Sequence, residues 1–278
     1  MRDKARVDHA SDTASLSHLP ATGMNAIPQP KTHQIVDRIN ALQGASPRFI
    51  DTSQVTPLSR EWRAIKHDID QLMRVDACAA WELTGSWRAL AGDVEGAEAA
   101  FRNSVALGET DVNRENWMIT RLNLGLFSAA QALYREFGVT RNRDMGIIAR
   151  YGFLAGAIGR TAEVIEDGRA NRFAWDDHWA EQVMTARRIM TETNVSDEQI
   201  AQRLDCAGEV LRRHGFRPVI MPSVLYVESV WRSVTYNFVA PVPWKEALEM
   251  DNEVMLLEEE LDFVKEISFG TVIEGVHA

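Results

Sequence analysis

Apolar residues recur at spacings of three and four through most of the chain, then switch to alternation near its end. After Thr56-Pro57, Trp62, Ile65, Ile69 and Leu72 line one face, with Arg63, Lys66, Asp68 and Asp70 elsewhere on the cylinder. That spacing predicts an amphipathic helix. Pro57 suits its first turn, where a missing N–H is no loss. A shorter helix is expected from about Lys31, through Ile35, Ile39 and Leu42, ending at Gly44 and Pro47. Residues 176 to 194 carry Trp179, Val183, Ile189 and Met190 on another apolar face. Ser196 to Gln199 reads as a capping box, followed by Ile200, Leu204, Ala207, Val210 and Leu211. Arg212, Arg213 and His214 before Gly215 form a stop signal, with cations at the negative helix end and glycine beyond it.

Beyond Gly215 the period shortens to two. Val224 to Val227 is strand-like. From Arg232 to Ala240, Val234, Tyr236 and Phe238 share one face, and Ser233, Thr235 and Asn237 the other. Pro241 and Pro243 end that run. Trp244 to about Lys265 reads as a helix with Ala247, Leu248, Val254, Met255 and Leu261 on its apolar side, and Phe269 to Val276 alternates again. The expected fold class is therefore mostly α, with a small terminal α+β layer in the order helix, strand, strand, helix, strand. An antiparallel sheet under two helices fits that order. It is one strand short of a ferredoxin-like sandwich and leaves an edge open to pair with a second copy.

Residues 77 to 172 contain a repeat. Trp81, Gly85, Gly92, Ala97 and Phe101 set its pattern, and Gly125, Ala130 and Tyr134 restate the last three positions. A third unit aligned on Gly159 places Gly152 opposite Gly85 and Val164 opposite Ala97, so the turn glycines stand 33 and 34 residues apart. Small residues let two helices approach, and glycine turns the chain between them. Order and period resemble three degenerate units of the tetratricopeptide (TPR) repeat, whose period is about 34 residues. The departures are Met118 where a small residue is expected, Gly168 in place of an aromatic, and no closing proline.

The resemblance implies a TPR-like array of helical hairpins over residues 34–195, before an α+β region at 196–278. Residues 1–33, rich in Ser, Thr, Asp, Ala and Pro, are expected to be disordered. It also implies a groove lined by the first helix of each hairpin, at Glu82, Ser86, Glu115, Ile119, Asn123 and Phe153. Glu82 and Glu115 give that groove an acidic character suited to a basic or amphipathic helical segment of another protein.

Charge agrees in sign. The chain carries 40 acidic and 30 basic residues, a net −10, which disfavours phosphate backbones and hence nucleic acid as a partner. No apolar run is long enough to span a membrane. Arg2, Lys4 and Arg6 precede no apolar stretch of the kind a secretory signal needs. Cys78 and Cys206 stand far apart, without CxxC spacing, so a cytoplasmic location is expected.

Candidate chemistry is sparse. No phosphate loop, GxGxxG, HExxH or GxSxG is present, and no cofactor or metal is expected. The best polar cluster is Asp176-Asp177-His178 with Glu181, too few ligands for a metal site and better read as a helix start. Glu258, Glu259 and Glu260 read as a solvated helix face. Trp87 and Trp231 are the tryptophans least clearly turned inward. The reading is a non-catalytic adaptor or scaffold. One alternative is an immunity or antitoxin-type protein masking a basic toxin. The other is an enzyme with a site near Asp177 and His178, with Glu181 and Glu228.

Overall fold

The computed structural model describes residues 30–137, 144–228 and 230–276. Most of the segment expected to be disordered lies outside those residues. Eleven helices are described: α1 (Pro30–Ala45), α2 (Pro57–Leu72), α3 (Ala77–Ala89), α4 (Val94–Leu107), α5 (Asp111–Asn123), α6 (Phe127–Glu136), α7 (Met145–Leu154), α8 (Ile158–Ala170), α9 (Asp177–Glu192), α10 (Asp197–Arg213) and α11 (Trp244–Glu259). Strands β1 (Ile220–Val227) and β2 (Trp231–Ala240) precede α11, and β3 (Phe269–Gly275) comes after it. The mostly helical class and the terminal helix-strand-strand-helix-strand order are as expected. No described helix is long and apolar enough to cross a membrane.

The hairpins α3/α4, α5/α6 and α7/α8 are joined by one device. Gly92, Gly125 and Gly156 all have φ near +70°, a region costly for any residue with a side chain. At each, the glycine N–H donates to the carbonyl three residues back: Ala89, Leu122 and Phe153. The next N–H donates to the carbonyl of Arg88, Arg121 and Gly152. This pairing satisfies the last carbonyls of the first helix while reversing the chain. The third turn glycine is thus Gly156, not Gly159, which lies inside α8. Within each hairpin the first helix packs on the second, and each hairpin packs on the first helix of the next. That arrangement is compatible with a helical repeat.

Between α2 and α3, Trp62 and Trp87 stack with centroids 4.1 Å apart. Each indole N–H donates to the other's backbone carbonyl, at 2.9 and 2.7 Å. Trp87 is therefore core. Between the first and second glycine-turned hairpins, Glu98 of α4 takes both nitrogens of the Arg121 fork and the Trp117 indole.

Helix α10 crosses the turns of these hairpins. The position after the turn glycine is Asp93 before α4, and it caps that helix at Gly96. The same position is Leu126 before α6 and Ala157 before α8, neither of which supplies a side-chain cap. Two carboxylates of α10 fill the gap. Asp205 accepts from the Phe127 and Ser128 N–H groups at the start of α6. Asp197 accepts from Gly159 and Arg160 at the start of α8. The two capping carboxylates stand eight residues apart on α10, a rise of about 12 Å. Arg212 completes the seam by donating to the Leu124 and Gly125 carbonyls. A methyl group on Gly208 would come 2.1 Å from the Gly125 carbonyl oxygen. Beyond Gly215, buried Arg217 donates to the Gln43 and Ser46 carbonyls at the end of α1.

The sheet order is β1-β2-β3, with β1 and β2 antiparallel. β3 runs parallel to β2, which corrects the expected all-antiparallel sheet. The reason is the α11 crossover, which returns the chain to the starting end of β2. Val234, Tyr236, Phe238 and Ala240 face inward, and the apolar core is continuous from Met118 of α5 to Ile273 of β3. Leu248 and Met255 are exposed instead of buried, whereas Ala247, Met250 and Val254 pack inward. Glu258 is not on a solvated face either: it pairs with Arg203 of α10 at 3.0 Å, and both side chains are largely buried.

Neither sheet edge is a bare row of partners. Val219 is bonded to Val239 across the pair, so by alternation Ile220, Pro222, Val224 and Tyr226 point their backbone groups to the free side of β1. Pro222 has no N–H to offer there. On β3, Asp251 accepts the Ile273 N–H at 3.1 Å, and Arg203 donates to the Phe269 carbonyl at 2.7 Å.

The caps supplied by α10 are testable. Asp205→Ala should cost about 1–2 kcal/mol, the usual worth of a helix cap. Asp205→Asn should cost less. Burial raises the Asp205 carboxyl pKa against the lowering effect of its hydrogen bonds, so the neutral amide keeps an acceptor and sheds a desolvation cost. Urea unfolding of the two variants checks the order.

Candidate groove on the first helices of the hairpins

Helices α3, α5 and α7 lie side by side as the first members of successive hairpins. Glu82 and Ser86 sit on α3, and Glu115, Ile119 and Asn123 on α5; all five are half-buried. Their positions are fixed by the turns, because Glu82 and Glu115 each precede their turn glycine by ten residues.

Phe153 does not join them. It is only 5% exposed. Its ring meets Tyr236 and Trp179 at centroid distances of 6.1 and 6.3 Å, and its carbonyl accepts the Tyr236 hydroxyl at 2.5 Å. The displacement has a simple cause. Aligning the third unit on Gly159 shifts its positions by three residues, almost one helical turn. Measured from Gly156, the equivalents of Glu82, Ser86 and Asn123 are Gly146, Arg150 and Leu154. Arg150 is exposed, pairs with Asp176 at 3.4 Å and lies over the Trp179 ring.

Glu82 and Glu115 share an uncommon electrostatic setting. Burial raises the Glu82 carboxyl pKa, a hydrogen bond from Asn116 lowers it, and Asp76 raises it again. The Asn116 contact is 2.6 Å and joins α5 to α3. Burial also raises Glu115, and the nearby Asp144 carboxylate adds to the rise. Tyr151 of α7 is pushed up to about 12 by burial and by Glu115. Among the described residues, neither glutamate pairs with Lys or Arg. Elsewhere the carboxylates of Glu98, Glu166, Glu181 and Glu192 all have arginine partners.

The groups named for an enzymatic reading are dispersed. Asp176 caps α9 at Trp179. Asp177 and His178 are exposed at the helix start, and Glu181 pairs with Arg169 at 3.0 Å. Glu228 lies in the turn between β1 and β2. Among the described residues no three His, Cys, Asp or Glu lie where they would share a metal ion. Cys206 is buried, and its thiol is raised to about 11 by burial and neighbouring carboxylates, which suppresses the thiolate.

Two clefts open elsewhere. One, of about 740 Å³, lies between α3 and α4 beside Trp81, Arg88 and Gly96; the other, of about 350 Å³, lies beside Phe49, Gly92 and Arg212. Neither was foreseen: no sequence motif marks the residues that line them.

The glutamates give a pH-dependent test. A carboxyl raised in the folded state holds its proton more tightly than in the unfolded chain. The ionised form therefore costs stability in full above the raised pKa, and that cost shrinks as pH falls below it and is gone only below the ordinary value of the unfolded chain. Glu115→Gln should raise Tm near neutral pH, with a gain that shrinks towards zero in acid. Thermal unfolding across that range measures it.

No protein-family model matches the chain, and comparison with curated proteins and with solved structures found no match.

Proposed function

We propose that the protein is a non-catalytic, TPR-like binding protein whose groove takes a basic or amphipathic helical segment of another protein. The observation that carries this reading is the pair Glu82 and Glu115. They lie on neighbouring helices at equivalent positions, half-buried and, among the described residues, without a cation. A partly desolvated carboxylate without a counter-charge costs free energy, and an incoming Lys or Arg offsets that cost. Ile119, packed partly against the core beside them, offers the apolar contact that a helix face needs. An adaptor or scaffold role fits such a groove. A cytoplasmic immunity protein that masks a basic toxin would use the same surface.

A fluorescein-labelled amphipathic helical peptide with Lys and Arg on its polar face is the probe. Its anisotropy should report binding at low salt that weakens as salt rises. Glu82→Lys with Glu115→Lys should reduce affinity at least about tenfold, equivalent to about 1.4 kcal/mol. Unchanged affinity in a variant that unfolds like the parent chain would overturn the reading.

A further inference from the structure

If Glu82 and Glu115 line a groove, as proposed above, the chain itself carries a segment able to occupy it in the absence of a partner. Helix α1 packs beside α3 as α3 packs beside α5. The direction of α1 is set by the residues after it. Ile50 donates to the Leu90 carbonyl at the end of α3, and the Phe49 ring lies against Gly92 in the α3–α4 turn. The carboxyl end of α1 is therefore at the carboxyl end of α3, and its first residue, Pro30, lies towards the amino ends of α3 and α5.

That edge is acidic. Asp76 caps α3 and Asp144 caps α7, while Glu82 and Glu115 lie within the first two turns of α3 and α5. The 29 residues before Pro30 thus join the fold at the edge where Glu82 and Glu115 sit, neither of them paired with a cation among the described residues. Arg2, Lys4 and Arg6 are the basic residues of that segment, clustered at its start with Asp3 between them, while Asp8 and Asp12 follow. Two helix spacings, roughly 20 Å, separate α1 from α5. The chain between Lys4 and Pro30 spans up to about 85 Å when extended, so length does not prevent contact.

We propose that the Arg2–Arg6 segment docks within the same molecule on the α3–α5 groove, with its basic side chains against Glu82 and Glu115, and so competes with an external basic partner. An occupant tethered to its own site acts at high effective concentration. The apparent affinity of a partner then falls with the fraction of molecules in which the groove is free.

Two measurements on the full chain test this. Carbodiimide treatment of the dilute protein should join Lys4 to Glu82 or Glu115 by an amide bond, found by peptide mass spectrometry in the monomer fraction. The variant Arg2→Glu/Lys4→Glu/Arg6→Glu should bind the labelled basic peptide about fivefold or more tightly than the parent chain at low salt. Equal affinity in the two chains together with no such cross-link overturns the proposal. So does a cross-link found only between two molecules. If the peptide binds neither chain, the groove reading fails separately and the cross-link alone decides: its presence within one molecule supports docking, and its absence overturns it.

Discussion

The array depends on two carboxylates that its own hairpins do not contain. The first N–H groups of a helix need acceptors. At α4 the local Asp93 provides one, but α6 and α8 begin after Leu126 and Ala157. Asp205 and Asp197 of α10 take over, from 78 and 38 residues away in sequence. Everything else along that seam comes from holding α10 so close. Glycine meets glycine at 125 and 208, Arg212 covers the end of α5, and Ile200 and Leu204 lie against Gly156. The continuous core between the hairpins and the sheet is the packing counterpart of those bonds.

The helices were largely legible because their signals are local. The Ser196 capping box, the Pro57 start and the apolar stripes each act within a few residues. The first two turn glycines were legible for the same reason. The third was not, because Gly156 and Gly159 stand three residues apart in sequence and only backbone conformation separates them: Gly156 takes φ +77°, and Gly159 stays helical so that its N–H reaches Asp197. That three-residue shift is what set Phe153, a core residue, among the expected groove positions. The strands were legible from alternation, but strand direction was not. It is set by where α11 returns the chain, and helical periodicity carries no information about that.

Glu258, which sequence placed on solvent and structure places inside, has distant partners. Glu258 belongs to a run of three glutamates, yet Arg203 and Thr271 draw it inward. Asp197 and Asp205 look like ordinary helix-surface acids until α8 and α6 are laid against them. Glu82 and Glu115 differ in kind. Sequence shows that each precedes its turn glycine by ten residues, but not that no Lys or Arg among the described residues pairs with it, because that depends on which arginines the fold commits elsewhere.

The seam formed by α10 also bears on the order in which the molecule can assemble. Synthesis completes the hairpins at Ala170, but the acceptors for the first turns of α6 and α8 lie further along, beyond α9. Until they emerge, those turns have only water as a partner, and the emerging hairpins are incompletely stitched. The acceptors thus become available backwards along the chain, Asp197 for α8 before Asp205 for α6.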